Sequence, residues 1–342
     1  MNHQEKKLFL QQVGQVFDVP SLRGLADAVA TLGNPEISRS LMVACNQLSP
    51  FFVPSKPATP DAASMPLWQW LSHVSDARAA AANARTPRII VSAPMKSGST
   101  FISDSIGKAF NLPKVSMMML LARPYDYAPF GAGNRPHEID EMALIAACLN
   151  GIGFVSHHHM LCSPFLAKQA ELYNLKFVLL KRNIFDCILS LDDFCFKNIS
   201  QMKDPAAAYI RTQLPTGFVA MEQEERIHHL LNRFLGVYVH YHVSWKFFAA
   251  RGLIQPFWIS YEDELLVDKE GLTARLCEWL GRPESDTTLL FEQLARDKDL
   301  GGVNFNKGVA GRGAVIQGAN RQRVVDAFNA FKDIADWSEI LD

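Results

Sequence analysis

The feature that most constrains the fold is a short β-branched run that leads through a glycine turn into a helix. Residues 88–93 read Arg-Ile-Ile-Val-Ser-Ala, a turn around Gly98 follows, and a helical pattern continues through Phe110. Further strand candidates at 152–156, 176–180 and 255–260 alternate with helical segments. Such alternation is typical of a mostly parallel sheet. The sequence therefore predicts an α/β fold whose sheet is flanked by helices.

Several helix boundaries can be placed from the residues that favour helix ends. Ser163 and Pro164 predict the start of the helix between the second and third strands. Apolar spacing predicts helices over 184–196 and 222–250. A further helix over 269–280 is predicted to end at Gly281, two residues before Pro283.

The first part of the chain has a different composition from the rest. Helical patterns up to about residue 85 are interrupted by a proline-rich stretch with prolines at positions 50, 54, 57 and 60. We interpret residues 1–86 as a helical N-terminal extension and residues 87–342 as the main domain.

Composition limits the partners and the compartment. The 34 basic and 35 acidic residues leave a net charge of -1, which gives no reason to expect a nucleic-acid polymer as partner. Six scattered cysteines favour reduced thiols and a cytoplasmic location. The longest apolar run, 143–155, is too short to span a bilayer, so no transmembrane segment is predicted. Nothing in the sequence indicates the oligomeric state.

The turn after the first strand has the composition of an anion-binding loop. Backbone N–H groups at a helix N-terminus are unsatisfied and carry the positive end of the helix dipole, and Gly98 lets an anion approach closely. Lys96 adds a mobile charge. The candidate anion-binding residues of this P-loop-like turn are Lys96, Ser97, Gly98, Ser99 and Thr100.

This loop departs from the ATP-binding pattern. In a Walker A loop the lysine follows the second glycine, whereas Lys96 precedes Gly98. The third strand ends in Lys181-Arg182, where an ATPase commonly has a metal-binding aspartate. The pattern favours transfer of a group of lower charge than a phosphoryl group, without a metal. A small-molecule kinase that uses ATP is the alternative enzyme.

A second candidate site follows the third strand. Arg182 comes directly after the strand end, and Ser190 lies eight residues later, about two helical turns on. A forked guanidinium and a neutral hydroxyl can bind one phosphate together. A surface ion pair of Arg182 and an ordinary helical serine are the alternative.

Three consecutive histidines follow the second strand. If the strand continues, His157 and His159 share a face and His158 points the other way. Imidazole suits general-base catalysis because its ordinary pKa lies near 6.5. A zinc site is the competing interpretation, but no Cys, Asp or Glu lies nearby in sequence to complete it.

Taken together, these motifs resemble the family of sulfotransferases that depend on 3′-phosphoadenosine 5′-phosphosulfate (PAPS). The Lys-Ser-Gly-Ser-Thr loop resembles that family's 5′-phosphosulfate loop, and Arg182 with Ser190 resembles its 3′-phosphate motif. Residues 305–313, Phe-Asn-Lys-Gly-Val-Ala-Gly-Arg-Gly, resemble the C-terminal loop that closes over the 3′-phosphate. Phe101 stands where relatives often have an adenine-stacking Trp, and Asn306 replaces the usual Arg, which predicts weaker 3′-phosphate binding.

The resemblance implies sulfuryl transfer from PAPS to a hydroxyl or amine of an acceptor. His159 is implied as the base, with His157 second, and Lys96 as the group that stabilises the leaving phosphate. Nucleotide contacts are implied for Ser97, Gly98, Ser99, Thr100, Phe101, Arg182, Ser190, Asn306, Lys307 and Gly308. PAPS is the expected co-substrate, with no metal, and the acceptor is a small molecule, a lipid or a carbohydrate. A non-catalytic nucleotide-binding protein is the third hypothesis.

Overall fold

A computed structural model describes most of the chain. The described residues are 3–16, 18–34, 37–38, 41–42, 45, 52, 54–55, 67–115, 117, 139, 141–149, 151–201, 212, 214–296 and 309–342.

The centre of the described structure is a four-stranded sheet in which every neighbouring pair is parallel. Its strands are β1 (Arg88–Ser92), β2 (Phe154–His158), β3 (Leu175–Lys181) and β4 (Phe257–Ser260), in the order β2-β1-β3-β4. The predicted parallel α/β sheet is therefore confirmed.

The second strand lies later in the chain than its apolar pattern predicts. The apolar run suggests 152–156, but pairing with β1 begins at Phe154 and continues through His158, which lies opposite Ser92. Gly153 lies so close to the preceding chain that a Cβ there would be 2.4 Å from the Pro87 carbonyl oxygen. The end of the strand could not be recognised from hydrophobicity, because His157 and His158 are polar although their backbones pair with β1.

Helices surround the sheet. The α-helices are α1 (His3–Gln15), α2 (Val19–Ala30), α3 (Leu67–Ala82), α4 (Ser99–Ala109), α5 (Glu141–Leu149), α6 (Pro164–Leu172), α7 (Ile184–Ser200), α8 (Gln223–Ala250), α9 (Lys269–Leu280), α10 (Glu284–Ala295), α11 (Gly318–Asn329) and α12 (Ser338–Leu341). Two 3₁₀ segments, Phe218–Ala220 and Arg312–Val315, and a π-helix, Tyr261–Val267, complete the described elements.

The helix ends predicted from the sequence are confirmed at two places. The Ser163 side chain accepts a hydrogen bond from the Leu166 N–H at the start of α6. Helix α9 ends at Gly281, whose φ of 64° lies in the left-handed region that favours glycine. Helices α7 and α8 also form, with α7 extending four residues beyond the predicted end at 196.

Both faces of the sheet are covered by helices. Ile90, Phe177 and Leu179 pack on one face in a cluster that includes residues of α3, α5, α6 and α8. Ile89 and Val178 pack on the opposite face against α4, α9 and α10. This alternation follows from the two-residue period of a strand, and the strands are apolar on both sides because both are buried.

The described helix α3 is tied to the first strand by a buried arginine. Arg88 is 1% exposed and donates through Nη1 to the Ala81 carbonyl (3.0 Å) and through Nη2 to the Ala80 carbonyl (3.2 Å). These carbonyls lie at the C-terminal end of α3, where a positive charge is favoured by the helix dipole.

Helices α1 and α2 form a separate apolar cluster. The boundary at residues 86 and 87 stays a prediction. Within the described residues, no helix has the length and apolar character needed to cross a membrane.

Replacing this arginine is expected to destabilise the fold. Arg88→Met removes two charge-assisted hydrogen bonds and leaves the carbonyls at the end of α3 buried without them, which should lower the free energy of unfolding by about 3 kcal/mol. Urea denaturation followed by circular dichroism measures the change. Arg85→Met, at an exposed arginine three positions earlier, is the matched control and should change stability by less than about 0.5 kcal/mol. Equal effects of the two variants would contradict this role for Arg88.

Candidate active site

The strand order places the candidate residues at a position where α/β proteins commonly bind ligands. Strands β1 and β3 are neighbours, but the chain leaves β1 toward β2 on one side and leaves β3 toward β4 on the other. The crevice beyond the carboxyl ends of two such strands is the usual ligand site of an open parallel sheet. Lys96 follows β1 and Arg182 follows β3, so both lie at this edge.

The loop after β1 has an unusual backbone that Arg182 helps to hold. Lys96 has a φ of 64°, in the left-handed region that disfavours a residue with a side chain. Arg182 Nη1 donates a 2.7 Å hydrogen bond to the carbonyl oxygen of Lys96. This bond joins the two candidate anion sites predicted from sequence.

Gly98 is required in this loop for two reasons. It precedes the first residue of α4 with a φ of 85°, and a Cβ at this position would lie 3.2 Å from Cε2 of Tyr261. The adjacent Ser97 is fully buried, with its Oγ 3.5 Å from Cys187 Sγ. Thr100 and Phe101 lie in the first turn of α4, where Phe101 packs partly buried against the core.

Two tyrosine hydroxyls of α8 donate hydrogen bonds to the end of β1 and to the loop that follows it. The Tyr241 hydroxyl donates to the Ser92 carbonyl at 2.7 Å, and the Tyr238 hydroxyl donates to the Met95 carbonyl at 3.3 Å. Both rings are almost completely buried. Because the loop is fixed at its start and at Met95, the position of Lys96 depends on the packing of α8.

The Lys96 ammonium lies against an aromatic ring. Its Nζ is 4.3 Å from the centroid of Phe194, a cation–π distance. Burial lowers the pKa of Lys96 below its usual value, and the positive charge of Arg182 acts in the same direction. Loss of hydration makes a buried ammonium a stronger partner for an anion than an exposed one.

The three histidines occupy three different environments. His157 Nε2 and Ser99 Oγ are 2.7 Å apart, and the His157 and His159 rings are 5.3 Å apart in an edge-to-face arrangement. His158 is buried, its Nε2 accepts from the Met117 N–H, and burial lowers its pKa to about 3. His157 and His159 therefore lie on the loop side and His158 on the other, as the sequence predicts.

His159 has the tautomer that a general base needs. Its Nδ1 is 2.7 Å from the Ala93 carbonyl oxygen. A carbonyl only accepts, so Nδ1 carries the proton and donates, which leaves Nε2 as the basic nitrogen. Burial lowers the pKa of His159 below its ordinary value, and the nearby charge of Lys96 lowers it further, while the hydrogen bond to Ala93 opposes the shift.

Arg182 and Ser190 are both buried near the start of α7. Arg182 is 6% exposed, and its guanidinium carbon lies 4.1 Å from the Tyr261 ring centroid. Its Nε has no hydrogen-bond partner among the described residues. Ser190 is 2% exposed in the second turn of α7. A buried guanidinium with an unsatisfied N–H is well suited to an anionic ligand.

The third predicted motif is described only in part. Asn306, Lys307 and Gly308 lie outside the described residues, so their assignment to nucleotide binding stays a prediction. The following residues are described: the N–H groups of Gly311 and Gly313 both donate to the Asp186 carboxylate. The end of the C-terminal motif therefore contacts the first turn of α7 at Asp186, which lies four residues after Arg182 in the chain.

Several supporting residues were not predicted from the sequence as parts of the site. Phe194, Asp186 and Tyr238 contact the predicted residues or their neighbours from distant positions in the chain. Glu262 accepts a 3.1 Å hydrogen bond from the Asn183 N–H, and burial raises its carboxyl pKa. The spacing of Asp186, Ser190 and Phe194 on one helix face was the available signal.

The metal interpretation finds no support in the described part of the chain. No group of three or more His, Cys, Asp and Glu residues there is arranged to hold a metal ion. That the reaction needs no metal stays a prediction.

Comparison with known proteins adds distant structural matches. No family model and no curated protein matches the chain. Among solved structures, the mouse sulfotransferase SULT7A1 complexed with PAP is 18% identical with a TM-score of 0.47, and the match covers 75% of this chain and 89% of that one. A match at this level leaves the function to be argued from the site residues.

The protonation of His159 can be measured without knowing a substrate. We expect its imidazole to titrate below pH 6.5, because burial and the Lys96 charge disfavour the protonated ring. NMR titration of the ring Cε1 proton measures the midpoint, with the resonance assigned by its loss in His159→Gln. Lys96→Met should move the midpoint upward, since it removes the repelling charge. A wild-type midpoint at or above pH 6.5 would show that burial and the Lys96 charge do not lower the pKa of His159.

Proposed function

We propose that this protein is a PAPS-dependent sulfotransferase that transfers a sulfuryl group to a hydroxyl or amine of a small-molecule, lipid or carbohydrate acceptor. The observation that carries the proposal is that candidate residues following three different strands lie at the same edge of the sheet. The Lys96 loop, the basic nitrogen of His159 and the buried Arg182 meet there, and the Arg182–Lys96 hydrogen bond links two of them.

The proposed mechanism uses His159 as the general base. Its Nε2 takes the proton of the acceptor hydroxyl while the acceptor oxygen forms a bond to sulfur. The bond between sulfur and the bridging oxygen of the 5′-phosphate breaks, and 3′-phosphoadenosine 5′-phosphate (PAP) leaves. Lys96 stabilises the negative charge that develops on that phosphate oxygen. His157, hydrogen-bonded to Ser99, is the second candidate for proton transfer.

Nucleotide binding is assigned to groups that follow β1 and β3. Backbone N–H groups over 97–100 at the start of α4 hold the 5′-phosphosulfate, and Phe101 is assigned to the adenine from the resemblance alone. Arg182 and Ser190 hold the 3′-phosphate. Asn306, Lys307 and Gly308 are assigned to the same phosphate from the resemblance alone. A sulfuryl group carries less charge than a phosphoryl group, so a lysine and backbone donors suffice in this proposal without a metal ion.

Nucleotide preference distinguishes the proposed function from its alternatives. We expect PAP to bind in the absence of metal and to bind more tightly than adenosine 5′-monophosphate (AMP), because only PAP offers a second phosphate to Arg182. Isothermal titration calorimetry with PAP, AMP, ADP, and ATP plus Mg²⁺ measures this. Preference for ATP with Mg²⁺ would indicate a kinase, and no binding of any nucleotide would overturn the proposal.

Catalysis is tested by removing the loop lysine. Lys96→Ala is expected to lower kcat on the order of 10²–10³-fold, the scale of losing a preorganised charge stabiliser. PAP formation from PAPS is followed with a phenol (2-naphthol), a sterol (cholesterol) and a sugar (N-acetylglucosamine) as acceptor probes. Lys108→Ala, at an exposed lysine in the last turn of α4, is the control and should leave turnover unchanged. Near-normal turnover of Lys96→Ala would remove Lys96 from the mechanism, and PAP binding without turnover would favour a non-catalytic nucleotide-binding protein.

A further inference from the structure

One face of α7 contacts both the Lys96 loop and the C-terminal motif. Asp186, Ser190, Asp193 and Phe194 are spaced so that they share this face, because residues four and seven positions apart lie along one side of a helix. Phe194 contacts Lys96 at one end of the face. At the other end, Asp186 contacts residues that follow Asn306, Lys307 and Gly308.

Asp186 binds two backbone groups of the C-terminal motif. Its Oδ2 accepts from the Gly311 N–H at 2.8 Å, and its Oδ1 accepts from the Gly313 N–H at 2.5 Å. The residue is 1% exposed. Hydrogen bonds to an ionised carboxylate are stronger than those between neutral groups, so a buried aspartate with two backbone donors fixes the segment that supplies them.

The backbone approach at Gly313 leaves no room for a side chain. A Cβ there would lie 2.5 Å from Phe185 Cβ and 2.6 Å from the Asp186 nitrogen. Gly311 has a φ of 79°, which favours glycine for a different reason. The segment therefore lies directly on the first turn of α7 with a backbone shape that two glycines allow.

A side-chain ion pair adds a second attachment between the same elements. Arg312 Nη2 donates to Asp193 Oδ2 at 2.7 Å, with both side chains partly exposed. A partly exposed pair of this kind contributes little energy alone, but it restrains the segment two turns further along α7. We define residues 309–313 with these contacts as the α7-docked segment.

We propose that Asp186 is a positioning residue for nucleotide binding, which holds the α7-docked segment beside Arg182 and Ser190 so that the 3′-phosphate meets a preorganised surface. This inference rests on the proposed function. Asp186 lies between Arg182 and Ser190 in the chain, and the segment it holds is the end of the motif assigned to the same phosphate. Preorganisation increases affinity because the ordering cost is met before the ligand binds.

The test compares nucleotides with and without the 3′-phosphate. Asp186→Asn keeps the size of the side chain but replaces one acceptor oxygen by a donor that opposes a glycine N–H. We expect calorimetry to show PAP affinity reduced on the order of 10-fold, the scale of losing one hydrogen bond to a charged group. AMP affinity should be unchanged. A general loss of structure would weaken both nucleotides, so the PAP-to-AMP ratio reports positioning specifically.

Two further variants make the test decisive. Gly313→Ala disrupts the same contact by adding a Cβ where the first turn of α7 leaves no room. It should lower the PAP-to-AMP affinity ratio as well, and it tests the role even if Asp186→Asn fails to fold. Asp268→Asn is the matched control, because Asp268 also accepts a backbone N–H, from Gly271 at the start of α9, and should leave the ratio unchanged. Limited trypsin digestion gives an independent readout: cleavage after Arg312 should be faster in both test variants than in the wild type and the control.

The outcomes separate this inference from the function on which it rests. If the wild type does not prefer PAP over AMP, the proposed function fails and the inference fails with it. If the wild type prefers PAP but Gly313→Ala and any folded Asp186→Asn protein keep the wild-type ratio, the positioning role is wrong and the proposed function stands.

Discussion

The hydrogen bond from Arg182 to the carbonyl oxygen of Lys96 is the contact on which the arrangement of the site depends. A left-handed backbone at a lysine is unfavourable by itself and persists only where the surroundings hold it. Arg182 can reach that carbonyl because β1 and β3 are adjacent parallel strands that end at the same edge. Its own stacking on Tyr261, which also closes over Gly98, makes the two candidate anion sites parts of one packed unit.

Sequence reasoning succeeded where a residue type has a strong local preference. The glycine turn, the Ser163 cap and the alternation of strands with helices led to the parallel sheet and to the loop at its edge, and the two-residue period placed His157 and His159 on one side of β2. The strand bounds were less accurate, because β2 is extended by pairing with β1 through two histidines whose polarity hides their backbone role.

The contacts that join distant segments could not be read from the sequence. The sequence around Lys96 does not indicate that the Phe194 ring packs against the Lys96 ammonium. It also does not indicate that Tyr238 and Tyr241 of α8 hydrogen-bond to the loop and to the strand end before it. These are long-range pairings set by the packing of whole elements. The tautomer of His159 also depends on a long-range contact. Its Nδ1 donates to the Ala93 carbonyl oxygen, which lies nearby because β1 and β2 pair side by side, and Nε2 is therefore the basic nitrogen.

Helix α7 has a geometric consequence beyond support. Its residues contact the C-terminal segment at Asp186 and the catalytic candidate Lys96 at Phe194, eight positions apart. At the usual helical rise this corresponds to about 12 Å along the axis. A helix does not stretch, so α7 keeps its contact with the C-terminal segment and its contact with the Lys96 side chain at a fixed separation.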